Sequence, residues 1–159
     1  MLVQSRQSPD WSQLPDDYLA GGLATPNPAV RDWQPRFAAG QILRFRLRAN
    51  PTFKRGRRRL AWLHESEQQS WLQRQGDRGG FGVLQAWGVG EGFVTMNGRG
   101  FRKPPLTCYS VLLDGFLAVT DPALLVQTVA AGLGSGKAFG FGLLSLAPAE
   151  VPLSTPGCA

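Results

Sequence analysis

From Gln41 to Ala49 the chain reads QILRFRLRA, alternating apolar and cationic side chains. Leu43, Phe45 and Leu47 fall on one side, Arg44, Arg46 and Arg48 on the other, and Ile42 stands apart. Period two is the mark of a strand with one face buried and one face wet, because successive strand side chains point to opposite faces. A helix would spread the same arginines around its circumference and leave no apolar stripe. The segment therefore demands a covering layer over Leu43, Phe45 and Leu47, and it leaves a row of arginines to be satisfied. Asn50-Pro51 ends it.

The remaining elements follow from local grammar. Residues 1–40 predict one short strand, Leu2 to Ser5, and then a connector in which prolines at 9, 15, 26, 28 and 35 forbid a long helix or a central strand. After Pro51 comes a basic loop, with Leu60 to Leu63 as a short strand or lead-in. Ser66 to Gln75 (SEQQSWLQRQ) holds good helix formers, with Gly76 as the expected stop. Phe81–Gly88 and Phe93–Met96 read as strands separated by glycine and polar residues, and Thr107–Val119 as a longer one. Asp121-Pro122 is a cap followed by proline at the first helical position, opening a helix through Ala131 that Gly132 closes. Phe141–Leu146 is the last strand. Strand, helix, strand, strand, helix, strand is the ferredoxin-like, or RRM-like, α+β sandwich. The domains expected are a partial ferredoxin-like piece with its connector (1–40), an RRM-like RNA-binding domain (41–150) and a tail (151–159).

Charge narrows the function. The 159 residues carry a formal net charge of +6. No acidic residue lies between Asp32 and Glu65, whereas Arg36, Arg44, Arg46, Arg48, Lys54, Arg55, Arg57, Arg58 and Arg59 all do. Such a field attracts polyanions, nucleic acid first. The plain alternative is a solvated basic face. A membrane surface fits less well, since the basic run sits in strand-like sequence and not on an amphipathic helix. No apolar run is long enough to span a bilayer, and MLVQSRQSPDW lacks the charged start and apolar stretch expected of a signal peptide. Cys108 and Cys158 are too few for a disulfide framework, consistent with a reducing cytoplasm, and they make no zinc site.

Gly132-Leu-Gly-Ser-Gly-Lys-Ala-Phe-Gly-Phe-Gly142 invites comparison with nucleotide-binding loops. It fails as one: Ala131 stands where the first glycine of that pattern belongs, and Ala138 follows Lys137 where Ser or Thr should hold magnesium. It also runs from helix to strand, so the nearby helix end is the negative one. Two readings remain. Gly134 and Gly136 let the backbone approach another chain or offer amides to an anion, with Lys137 adding charge; or the loop is a tight turn needing positive φ. No cofactor is expected. Phe139 and Phe141 read as core rather than as stacking platforms.

These strings resemble a known family. GLGSGKAFGFGLLSLAP is similar to the C-terminal glycine-rich motif of CasE, the repeat-RNA endoribonuclease of CRISPR Cascade complexes. FRLRANP (Phe45 to Pro51) resembles the start of that family's second domain. SEQQSWLQRQ and LLDGFLAVTDP (Leu112 to Pro122) match its next recognisable stretches in the same order. The resemblance covers roughly residues 41–148 and, more weakly, 1–12. It implies tandem ferredoxin-like domains that grip the hairpin of a CRISPR repeat, cleave at its 3′ base and stay bound as a Cascade subunit. The implied reaction is metal-independent: a ribose 2′-hydroxyl attacks the adjacent phosphate and leaves a cyclic phosphate and a 5′-hydroxyl. Family members are longer at the N-terminus, where they carry a catalytic histidine and a supporting tyrosine. The chain is therefore expected to bind a repeat hairpin but to cleave it poorly, with its catalytic residues unassigned. His64, the one histidine, does not match the family's catalytic position and is expected to cap or to face solvent.

The connection Asn97–Pro105 (NGRGFRKPP) corresponds in place to the family's RNA-inserting β-hairpin, with Arg99, Arg102 and Lys103 as expected contacts, the plain alternative being a flexible solvent-exposed loop. An A-form stem is read mainly by backbone and shape. Arg55, Arg57 and Arg58, with Lys54 and Arg59, are expected to add phosphate contacts. Expected partners are the repeat hairpin and other Cascade subunits, with no membrane. The rival readings are an active processing enzyme and an RRM-type or ribosome-associated RNA-binding protein outside CRISPR systems.

Overall fold

In the computed structural model the described residues are Gln7, Asp10, 32–96 and 105–149. The chain divides into two compact units, Met1–Pro35 and Arg36–Ala159. In the first, the described stretch Asp32–Pro35 is irregular and exposes Trp33. The expected strand at Leu2–Ser5 lies outside the described residues.

The second unit holds β1 (Ile42–Ala49), β2 (Thr52–Arg55), β3 (Arg58–Ala61), α1 (Glu65–Gly79), β4 (Phe81–Met96), β5 (Leu106–Val119), α2 (Pro122–Ala131) and β6 (Leu144–Pro148), with a 3-10 turn at Lys137–Phe139. The main sheet runs β4-β5-β1-β6 and every pairing is antiparallel. That is the ferredoxin-like order, with the β2–β3 hairpin inserted between the first strand and the first helix. The alternation expected for β1 is realised: Leu43, Phe45, Leu47 and Ala49 are buried while Ile42, Arg44, Arg46 and Arg48 are exposed. The buried side chains meet Trp71 and Leu72 of α1, Leu125 and Val129 of α2, and Val111, Leu113 and Leu117 of β5. Burial of each large apolar side chain contributes about 1.5–3 kcal/mol, so this single layer fixes which face of the sheet stays open.

Several boundaries differ from those expected. The basic loop after Pro51 is a hairpin, closed by Gly56-Arg57 with Gly56 at φ +61. α1 does not stop at Gly76 but runs to Gly79 and closes on Gly80 in the left-handed conformation. Gly76 is buried in the helix because β4 passes so close that a Cβ there would lie 2.5 Å from the Phe81 carbonyl oxygen. β4 is one strand rather than two. Its register slips between Val83 and Gln85 and again between Gly90 and Gly92, and these bulges are what the intervening glycine and polar residues accommodate. β6 begins at Leu144, later than expected, because the chain from Gly140 to Leu143 still belongs to the loop. α2 starts as its sequence dictates, with the Leu124 N–H donating to Asp121 Oδ1 at 3.0 Å and Pro122 in the first turn. Among the described residues no helix is long and apolar enough to cross a membrane.

Candidate nucleic-acid interface

The arginines of β1 project from the open face of the sheet, and most are engaged there. Arg46 Nε donates to Asp114 Oδ1 of β5 at 2.9 Å. Arg48 makes a two-pronged contact with Glu91, Nε to Oε2 at 2.8 Å and Nη2 to Oε1 at 2.7 Å. Glu91 is the residue at the second β4 bulge, so the bulge aims its carboxylate across β5 toward β1. The Ser110 hydroxyl also donates to Glu91. These bonds, Arg48's first and then Ser110's, hold the Glu91 carboxyl below the usual carboxylate range, and the same pairing pushes the Arg48 guanidinium up. Arg44 alone of the row has no ion pair among the described residues. Beside it the face is apolar: Trp87 of β4, 43% exposed, meets Phe116 of β5 edge to face at 6.2 Å. The alternation revealed the arginines but neither the aromatic pair nor the carboxylates, which come from strands far along the chain.

The β2–β3 hairpin is different. Its register sets Lys54 opposite Arg59 and Arg55 opposite Arg58, so the outer rungs place cation against cation. Like charges directly across a ladder are destabilising. Lys54, Arg55, Arg57, Arg58 and Arg59 are all exposed, and none has an ion pair among the described residues. The hairpin is nevertheless anchored at its root. Phe53 stacks on Trp62 with ring centroids 4.1 Å apart, and the Trp62 backbone N–H donates to the Pro51 carbonyl at 2.9 Å. A stiff base therefore carries a cationic tip that has no counterion among the described residues.

The glycine loop lies against the end of β1. The Gly142 N–H donates to the Arg48 carbonyl at 2.7 Å and the Leu133 N–H to the Gly142 carbonyl at 2.8 Å. Gly134, Gly136, Gly140 and Gly142 have φ of 73, 82, 85 and 86, the left-handed region that side chains avoid. The turn geometry therefore already requires glycine at these positions, independently of any ligand. At Gly136 a Cβ would also press on Phe141 at 3.0 Å. What the loop offers outward is Lys137, which is exposed, and a run of backbone amides: no hydrogen bond among the described residues uses the N–H groups of Gly134 to Ala138. Phe141 is buried as expected, but Phe139 is 42% exposed and not core. The left-handed Gly140 reverses the chain between them, leaving Phe139 outside and returning Phe141 beneath Gly136.

His64 is the N-cap residue of α1, and its N–H donates to Glu67 Oε2 at 3.4 Å. Arg99, Arg102 and Lys103 lie outside the described residues; the strands that lead to them, β4 and β5, pair as far as Met96 and Leu106. Among the described residues no group of His, Cys, Asp and Glu is gathered so as to hold a metal ion. Cys108 is buried, and burial pushes its thiol up.

A family model described as CRISPR associated protein matches residues 1–148. The chain belongs to the CasE/Cse3 family. This CasE/Cse3 chain is 35% identical to the CRISPR-associated endoribonuclease Cse3 of Thermus thermophilus, over 93% of its own length and 72% of that protein's. It is 34% identical to the Cascade subunit CasE of Escherichia coli, over 69% of its length and 59% of CasE's. A Cse3 structure bound to a 19-nucleotide RNA superposes with a TM-score of 0.75 at 34% identity, covering 91% of this chain and 71% of that one. Membership of this family agrees with the CRISPR reading and lends nothing to an RRM-type protein outside such systems.

Proposed function

We propose that this CasE/Cse3 chain binds the hairpin of a CRISPR repeat RNA as a Cascade subunit in the cytoplasm, gripping the stem through its phosphates. The observation that carries the reading is the β2–β3 hairpin, whose rungs oppose cations and whose charges find no counterion among the described residues. A phosphate backbone supplies what the fold leaves out, and binding releases the counterions condensed on the RNA. Arg55, Arg57 and Arg58 are the proposed contacts on this side. Lys137, with the amides around Gly134 and Gly136, is proposed to take a further phosphate, and Arg99, Arg102 and Lys103 are proposed to enter the stem from the β4–β5 connection. Residues 1–40 are proposed to belong to a first ferredoxin-like domain and 41–150 to form the RNA-binding second. The Thermus thermophilus and Escherichia coli relatives, one named an endoribonuclease and one a Cascade subunit, support the repeat RNA and the complex. The role proposed for the described residues is binding and retention of the RNA; His64 stands exposed at the start of α1, where its backbone N–H donates to Glu67.

The test compares the wild-type chain on a repeat stem-loop and on an unpaired RNA of equal length, each across a salt series. Tighter binding of the stem-loop, with log affinity falling linearly against log salt, is expected. Equal affinity for the two RNAs would sink the stem reading.

A further inference from the structure

Ser135 lies between Gly134 and Gly136, yet its hydroxyl is turned toward the other basic element. Its Oγ donates to the Asn50 carbonyl at 3.3 Å, accepts from Asn50 Nδ2 at 3.4 Å and stands 3.4 Å from Thr52 Oγ1. Those contacts exhaust what one hydroxyl can make, one donated bond and two accepted. Thr52 is the first residue of the β2–β3 hairpin, and Asn50 is the last residue before the proline that leads into it. One atom of the glycine loop is thus tied to the root of the basic hairpin.

The cluster is costly in a way that a simple turn would not need. Asn50 is 6% exposed and its Oδ1 has no partner among the described residues. A buried acceptor left unpaired opposes folding, and an apolar side chain would avoid that penalty. Each contact to Ser135 is also longer than a good hydroxyl bond, so none adds much stability. What the arrangement supplies is position, through the convergence of three groups on a single oxygen.

We propose that Ser135 is a positioning residue, holding Lys137 and the loop amides in fixed register with the arginines of the β2–β3 hairpin so that both engage one RNA backbone as a unit. The inference rests on the RNA-binding reading above. At about 3.3 Å per strand residue, the hairpin tip stands roughly 10 Å from its Thr52 root, so both elements are within reach of one run of phosphates.

A double-mutant cycle on repeat stem-loop affinity tests it. With Ser135 intact, Lys137→Ala and Arg58→Ala should be coupled, the double variant losing about threefold less than the product of the single losses. In a Ser135→Ala background the losses should simply multiply, and Ser135→Thr, which keeps the hydroxyl, should restore the coupling. Thr52→Val removes a contact from the opposite side and should also weaken it, which keeps the test decisive should Ser135→Ala fail to fold. Coupling that persists in Ser135→Ala, or is untouched by Thr52→Val, would overturn the inference. Failure of the wild-type chain to bind the stem-loop would instead remove the RNA reading itself.

Discussion

Arg46 and Arg48 on β1 and Arg55 and Arg58 on the hairpin lie within a short stretch of chain, yet the fold treats them in opposite ways. The first two cross the open sheet face to Asp114 and Glu91, which cancel their charge and order their side chains. The second two face each other across a ladder rung and have no ion pair among the described residues. One region spends its arginines on holding the sheet together. The other leaves them free at a cost to its own stability. A basic sequence is therefore not equivalent to a basic binding surface, and the difference lies in where the carboxylates come from. Asp114 and Glu91 belong to the sheet and reach only the strands packed beside them.

Breaking the hairpin side should have the largest effect. Replacing Arg55, Arg57 and Arg58 together by Ala removes phosphate contacts of about 1 kcal/mol each, hence about a hundredfold in stem-loop affinity. The slope of log affinity against log salt should flatten by about two to three. The thermal midpoint should hold or rise slightly, since one of the two like-charge rungs is gone. A fall in midpoint with unchanged affinity would make the hairpin a structural element.

On the open face the effect is smaller and of another kind. Glu91→Gln should lower stability by about 1 kcal/mol at neutral pH, the upper range for an ion pair with this much exposure, and leave RNA affinity nearly unchanged. Its pH dependence has a definite sign. Because the folded state holds the Glu91 carboxyl below its unfolded value, its stabilisation is present above that unfolded value and disappears as pH falls through the folded one. Wild type should therefore lose stability more steeply than Glu91→Gln in acid, with the two curves converging at low pH. Parallel acid limbs would remove the Arg48–Glu91 pair from the account. Urea midpoints measured across acid pH decide it.

The same contrast explains what the sequence could and could not disclose. The burial of Leu43, Phe45 and Leu47 is local information, carried by period two, and so is the Asp121 cap. The hairpin hides because KRGRRR has the composition of a loop: pairing Arg55 with Arg58 contradicts charge preference and is imposed from the root by Phe53 on Trp62. Continuity of β4 hides behind its bulges, and the helical place of Gly76 behind its close approach to Phe81. The pairing of Arg46 depends on a residue 68 positions away and that of Arg48 on one 43 away, separations at which no local pattern speaks. Ser135 was visible only as a spacer among glycines. Its contacts with Asn50 and Thr52 are made entirely by tertiary structure.

The division between engaged and free arginines is tested most directly by removing equal charge from each region. Arg57→Ala with Arg58→Ala, and Arg46→Ala with Arg48→Ala, change net charge identically, so long-range attraction for RNA falls alike in both. The quantity to compare is the salt dependence of repeat stem-loop binding, measured well below each variant's melting temperature. The hairpin pair should reduce the slope by about two, and the sheet pair should keep a slope close to wild type and show the lower thermal midpoint instead. Equal reductions in slope, or a greater one for the sheet pair, would contradict that division.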